Sequence, residues 1–281
     1  MTRRNIALTA AALLVVGFGA WAVAAGLSSS HKPSSSTAPT GPVKPYGDAV
    51  GLTRALHPGD CVNAVWTKGK FVGLPVLGLA VKCTANLHDG QVLNTDAASS
   101  LGDAQKSSDS RCRQLLADTV NAMADARSYA LPPSEQGWDV GVHSSACLIF
   151  NKTTALAGNV GPFRKFGEQD DVALSAIGDC YKNTSSNSYL SKCDTPHDGQ
   201  AAGFIKAPEG MTYQTANANS DSLCRTKYGP RYANYALVGN ISTADDWKLG
   251  FRYIQCDVGA TDRNLTSSVV TQSPSTQPTS G

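Results

Sequence analysis

Charge is scarce in this chain, and the basic and acidic residues of its main part balance. Only 16% of the 281 residues are Asp, Glu, Lys or Arg. Arg3 and Arg4 lie at the start, so 24 basic residues less these two leave 22 against 22 acids beyond residue 27. Nucleic-acid binding depends on a cationic surface. The composition therefore indicates a protein without a nucleic-acid partner.

Patterns for metal binding and nucleophilic catalysis are missing as well. Structural zinc sites use four ligands at tight, repeatable spacing, but the chain has no paired CxxC or HxxxH. It has no GxSxG nucleophile elbow. The glycine-containing stretch GLPVLGLA at residues 73–80 lacks the Lys-Ser/Thr of a phosphate-binding loop. We expect no metal, no cofactor and no catalytic residue, and hence no enzyme.

One long hydrophobic run is present, near the start. Residues 1–5 form a short basic start, and residues 6–27 are 22 residues without a charge. About 20 apolar residues span a bilayer as a helix. We predict a transmembrane signal anchor over 6–27, with the N-terminus cytoplasmic by the positive-inside rule and the rest outside the cell membrane. A cleaved export signal ending near the small residues 22–25 is the alternative.

Two segments have the composition of flexible chain. Residues 28–48 are rich in Ser, Thr and Pro and read as a linker, and residues 262–281 have the same character and read as a disordered tail. A folded region of roughly 49–261 remains. Its length allows one large domain or two small ones.

An internal repeat organises this region. Four features recur in the same order: GDC, then KC followed by HDGQ, then SDSxCR, and then Trp with Gly three and Cys nine residues later. They begin at Gly59 and Gly178, Lys82 and Lys192, Ser108 and Ser220, and Trp138 and Trp247. The order predicts two tandem copies of one domain, at 49–152 and 171–261, joined by a connector over 153–170.

Each copy holds four of the eight cysteines, the mark of a disulfide framework in an exported protein. If both copies pair internally and identically, three patterns remain. We favour first with second and third with fourth, because the first pair then clips the ends of a hairpin. The bridges would be Cys61–Cys83, Cys112–Cys147, Cys180–Cys193 and Cys224–Cys256.

Local patterns predict the elements of each copy. GDC marks a turn into a strand, and further strands are expected before the second Cys and after HDGQ. A helix is expected to begin at Ser108 and at Ser220, and a last strand at each Trp. The fold class is α+β: two small disulfide-bonded domains, each with one helix on a mostly antiparallel sheet, following an N-terminal transmembrane helix.

The His-Asp pairs of the repeated motif have two readings. His88-Asp89 and His197-Asp198 can be an acid–base site, or a packed His followed by an Asp-Gly turn. Neighbouring residues on a strand point to opposite faces, which favours the scaffold reading. Trp138 and Trp247 are expected to fill the core beside the last Cys, with stacking on sugar as the alternative.

The order GDC, Cys before LH or PH, Cys-headed helix and WxxG…C resembles the septum-formation domain of actinobacterial membrane-anchored proteins. The resemblance covers about 52–150 and 172–258, and Leu87 departs from it where the second copy has Pro196. It implies an envelope role connected with division and assigns no catalytic residue.

We therefore expect a non-enzymatic, membrane-anchored protein that binds envelope or division proteins or cell-wall glycan. Two alternatives are an exported hydrolase acting on wall polymers through a His/Asp site, and thiol redox exchange by an accessible Cys.

Overall fold

The computed structural model describes residues 51–66, 70–72, 75–79, 83, 87–185, 187–261 and 264–270. They form two five-stranded antiparallel sheets with a few helices and four disulfides, which confirms the α+β class. The predicted anchor at 6–27 lies outside these residues. Within the described part, no helix has the length and apolar character that a bilayer span requires.

Both sheets have the same strand order. In the first it is β2-β1-β3-β5-β4, and in the second β7-β6-β8-β10-β9. The strands of the first sheet are β1 Cys61–Trp66, β2 Pro75–Leu79, β3 Gly90–Ala97, β4 Ala126–Leu131 and β5 Ser144–Asn151. Those of the second are β6 Cys180–Asn183, β7 Ser188–Ser191, β8 Gly199–Lys206, β9 Ala236–Ile241 and β10 Tyr253–Gly259. We call the parts of the chain around them the first and second halves.

The long helix of each half begins earlier than the SDS motif predicted. Helix α1 is Leu101–Leu115 and α4 is Tyr213–Tyr228. Their N-caps are Ser100 and Thr212, whose hydroxyls accept a bond from the backbone N–H three residues on. Ser108 and Ser220 are instead buried within the helices. Small side chains there allow close packing: a Cβ at Gly239 of β9 would lie 2.6 Å from that of Ser220.

Three short helices complete the set: α2 Ala117–Ala122, α3 Glu135–Asp139 and α5 Ala244–Leu249. The prediction that the last strand begins at each Trp is wrong, because Trp138 and Trp247 lie in α3 and α5. Helix α5 ends at Gly250, whose φ of 100° is left-handed and suits glycine. The edge strands β4 and β9 had not been predicted.

The disulfides have the pairing favoured above. Cys61–Cys83 and Cys180–Cys193 close the β1–β2 and β6–β7 hairpins, and Cys112–Cys147 and Cys224–Cys256 join each long helix to an inner strand. All eight cysteines are bonded, so in this state none offers the thiol that redox exchange would need.

Residues 153–170, predicted as a connector, are packed into the molecule. Leu156 and Val160 are buried in the helix-side core of the first half. Further along, Ile177 N–H donates to Ala122 O at 2.8 Å, and Ala176 forms a β-bridge with Met123. The two sheets accordingly lie in one compact unit.

The predicted disordered tail over 262–281 is wrong for residues 264–270. Leu265 and Val270 are buried, and Leu265 forms a β-bridge with His197. This stretch occupies the same place on the second half as residues 155–160 do on the first, where Leu156 bridges His88. We call 155–160 and 264–270 the closing segments. Residues 271–281 lie outside the described part.

Candidate functional site

The repeated His residues are buried scaffold positions. His88 is 1% exposed and exchanges two backbone hydrogen bonds with Leu156, at 3.0 and 2.7 Å. His197 is 0% exposed and makes the same pair with Leu265, both at 2.9 Å. Its ring Nδ1 lies 2.7 Å from the Thr195 carbonyl oxygen. Both imidazoles therefore lie where bulk water and a polymer substrate do not reach.

The adjacent Asp residues bind the backbone. Asp89 Oδ2 accepts the Ala64 N–H at 2.7 Å, and Asp198 Oδ2 accepts the Asn183 N–H at the same distance. Each carboxylate thus holds the strand that starts its hairpin. The geometry gives the acid–base reading of His88-Asp89 and His197-Asp198 no support.

The Gln of each motif, which sequence reasoning passed over, is the residue that joins the parts. Gln91 Nε2 donates to Gly59 O and Asn159 Oδ1, while its Oε1 accepts the Val160 N–H at 2.8 Å. Gln200 Nε2 donates to Gly178 O at 2.8 Å, and its Oε1 accepts two N–H groups of the second closing segment. The sequence feature that could have identified these two residues is the Gln that ends the HDGQ motif in both copies.

Trp138 and Trp247 differ in exposure. Trp247 is 5% exposed and meets the Tyr213 ring edge-on at 5.9 Å between centroids, so it is a core residue. Trp138 is half-buried, and its ring packs against the His143 ring with 4.4 Å between the ring centroids. A sugar-stacking surface shared by both Trp residues is therefore not present.

A buried charge cluster forms where the connector meets the second sheet. Arg164 bonds both Asp170 and Asp179, and the three side chains are 3%, 5% and 1% exposed. Ser175 Oγ donates to the other Asp170 oxygen at 2.6 Å. Asp179 comes from the second GDC motif, and it also accepts the Ala176 N–H at 2.8 Å. Its counterpart Asp60 makes the matching bond to His57 N–H but lies near the surface.

A third carboxyl lies close by on β10. Asp257 accepts Gln255 Nε2 at 2.9 Å and Asn240 Nδ2 at 2.7 Å. Tyr181, 1% exposed, carries a hydroxyl that has no hydrogen-bond partner among the described residues. The Oε1 of Gln255, a residue 2% exposed, also has none in that part of the chain. Buried polar atoms are nearly always bonded, so these two need an explanation.

Burial dominates the protonation of these acids. It raises the pKa of Asp170 from 3.8 to about 7, against the opposing charge of Arg164 and with the Asp179 charge adding to the rise. It raises the pKa of Asp257 to about 6, against the two amide hydrogen bonds. The pKa of Tyr181 is raised well above 10.0 by burial and by the nearby acids. Carboxyl groups whose pKa is strongly shifted and that lie beside a cleft are a candidate functional site.

Two clefts open at Asp170. One, of about 280 Å³, reaches Arg164 and Asn159. The other, of about 290 Å³, is bounded by residues 169–172, at and just after the end of the connector. Polar side chains of the second sheet and its loops complete its lining: Asn187, Ser188, Asn240, Ser242, Thr243 and Gln255. We call this one the Gln255 cleft.

The first half has apolar side chains at the positions that match Tyr181, Gln255 and Asp257. Aligning the GDC motifs places Val62 opposite Tyr181, and aligning the last cysteines places Ala146 and Leu148 opposite Gln255 and Asp257. Those three are at most 1% exposed and belong to one apolar core. Comparing the halves position by position could have found these three residues from the sequence, since a polar residue replaces an apolar one each time.

No described group of three or more His, Cys, Asp or Glu side chains could hold a metal ion. The cluster thus places buried carboxyl groups beside a cleft that is open to solvent. Such an arrangement has the groups needed to bind a ligand through charge and hydrogen bonds.

These features define a class: an α+β, disulfide-braced protein with a polar cleft beside its second sheet. The chain belongs to the septum formation family, whose model matches residues 78–256 in a single stretch that runs through both halves. The resemblance noted from the motifs is thereby confirmed, whereas two copies of the family domain remain a prediction. No curated protein and no solved structure matches the chain significantly.

Proposed function

We propose that this chain is a non-enzymatic, membrane-anchored protein of the cell envelope that acts as a binding or scaffold module in septum formation. Residues 6–27 would hold it in the cell membrane, with the folded halves outside. The family match supports the link to division, and four disulfides are typical of an exported domain.

The observation that carries the binding role is the contrast between the halves. In the first half the positions opposite Tyr181, Gln255 and Asp257 belong to an apolar core, while the second half buries these three polar residues beside a cleft. Burying such groups costs free energy that hydrocarbon would not. A recognition site is a reason to retain them. The partners proposed are envelope or division proteins or cell-wall glycan.

The test is imaging in dividing cells of the native host. A fluorescent protein is fused to the N-terminus, which the proposal places in the cytoplasm, and its distribution is compared between septum and lateral membrane. In the control, residues 6–27 are replaced by the single span of an unrelated membrane protein. Septal enrichment of both fusions supports the proposal, because the folded halves then carry the targeting. An even distribution of the unaltered fusion overturns it.

A further inference from the structure

Three hydroxyls that line the Gln255 cleft have given their hydrogen-bond donors to the protein. Ser188 Oγ donates to Asn183 Oδ1 at 2.7 Å, and Thr243 Oγ1 to Asp246 Oδ2 at 2.6 Å. Ser242 Oγ donates to Phe251 O at 3.3 Å. These hydroxyls can still accept hydrogen bonds through their lone pairs.

Two amides that line the cleft also donate to the protein. Gln255 Nε2 and Asn240 Nδ2 both donate to the Asp257 carboxylate behind them. Gln255 Oε1 is left without a partner in the described part of the chain. An unpartnered acceptor on a residue 2% exposed is an incomplete hydrogen-bond arrangement, and a donor arriving through the cleft would complete it.

Around the cleft, acidic side chains also outnumber basic ones. The buried Asp170 lines the cleft and shares Arg164 with Asp179. The buried carboxyl of Asp257 lies behind the lining amides of Gln255 and Asn240. Asp171 adds a fourth carboxyl at the rim, with Oδ1 accepting the Ala173 N–H. Asp246, which accepts the Thr243 hydroxyl, acts on Asp171, and Tyr181 lies among the three buried acids. Among the described residues that line the cleft there are thus two carboxyl groups and no Lys or Arg.

We propose that the Gln255 cleft binds a primary ammonium group, with Gln255 Oε1 as hydrogen-bond acceptor and Asp170 and Asp257 supplying negative charge. An alkylammonium brings three N–H donors and one positive charge, which suit an unpartnered acceptor and two carboxyl groups in one cleft. A cleft of about 290 Å³ holds an amine of a few carbons. The inference names a ligand class for the binding role and rests on that role. The ammonium can belong to an amino-acid side chain in a peptide or to a free polyamine.

Calorimetric titration of the purified full chain at pH 8 with 1,5-diaminopentane tests the proposal, with pentane-1,5-diol as the neutral probe of the same length. We expect saturable binding of the diamine and none of the diol. Asp257→Asn should weaken diamine binding at least tenfold. The control Asp245→Asn, at an exposed acid paired with Lys248, should not change it. Binding should also weaken from pH 8 to pH 5, as the carboxyls take up protons.

No binding of the diamine, equal binding of the diol, or unchanged affinity in Asp257→Asn would each overturn the proposal. A second titration with Nα-acetyl-lysine methylamide separates the sources: tighter binding than the diamine identifies a peptide side chain, and weaker binding a free polyamine. Septal enrichment without diamine binding would leave the proposed function standing and reject this ligand class. Diamine binding without septal enrichment would do the reverse.

Discussion

At the scale of single residues, this protein separates two uses of the same polar groups. Asp89 and Asp198 bind backbone N–H groups, and Gln91 and Gln200 join each GDC turn to a closing segment. Asp257 and Gln255 instead bond each other beneath a cleft. The first set stabilises the fold. The second set lowers its stability, because burial disfavours the ionised form of a carboxyl group.

Asp257 should make the protein less stable at high pH. Its pKa is raised from 3.8 to about 6 in the folded state, so its contribution to stability is fully present below pH 4 and is lost as pH rises through 6. Asp170, at about 7, acts in the same direction. Asp257→Asn should therefore raise stability at pH 8 by about 1–3 kcal/mol, since one pKa unit is worth about 1.4 kcal/mol.

The measurement is the thermal midpoint between pH 5 and pH 8. The variant should lose part of the decrease that the wild-type protein shows over this range, while Asp245→Asn should follow the wild type. A midpoint at pH 8 that is lower in Asp257→Asn than in wild type contradicts the assignment.

Gln200→Leu should destabilise the second half by about 2–4 kcal/mol. The change leaves Gly178 O and the Val269 and Val270 N–H groups without the side chain that binds them, and each unpaired buried group costs about 1–3 kcal/mol. Urea unfolding measures the loss. Gln214→Leu, on the exposed side of α4, is the matched control and should have little effect. Equal stability of the two variants would show that Gln200 does not hold the closing segment.

At the scale of elements, the closing segments show a limit of predicting structure from local sequence patterns. Hairpins, long helices and disulfides follow from motifs a few residues long, and these were predicted in outline. Residues 264–270 are Ser- and Thr-rich and look like flexible tail. They are ordered because Leu265 and Val270 are buried against the second half and Gln200 binds their backbone. No signal within the segment itself reveals that.

Removing residues 264–281 should lower the free energy of unfolding by about 3–5 kcal/mol. The deletion uncovers the sites of Leu265 and Val270, and burying one such side chain is worth about 1.5–3 kcal/mol. Thermal denaturation under non-reducing conditions measures the effect. A shorter deletion of 271–281 is the control and should be close to wild type. Two deletions of equal effect would mean that the closing segment is not a structural part of the second half.

At the scale of the whole molecule, the residues that follow the connector pack against both halves and so join the two similar sheets. Leu174 and Ala176 share a core with Ala122 and Met123 of the first half. On the other side, Phe251 of the second half packs with Ala124 and Val172. Contacts of this kind couple the halves, so they should unfold together.

Calorimetry of the purified chain should show one transition with equal calorimetric and van't Hoff enthalpies. Phe251→Ala removes a side chain that is 0% exposed and should lower that single midpoint by an amount corresponding to about 3–5 kcal/mol. Tyr235→Ala, at a 36% exposed ring of the second half, is the control. Two separate transitions in the wild-type chain would show independent halves.

The sequence by itself determined the repeated motifs, the favoured disulfide pairs, the α+β class and the family. Each of these rests on residue types at short, repeated spacing, which can be read without coordinates. Only the tertiary structure decided what His88, His197 and their neighbours do, and only it brought Arg164, Asp170, Asp179 and Asp257 together. Those acids come from a connector, a turn and a last strand up to 87 residues apart, counted from Asp170 to Asp257. Their meeting depends on how the connector packs against the second sheet, and that packing has no local pattern.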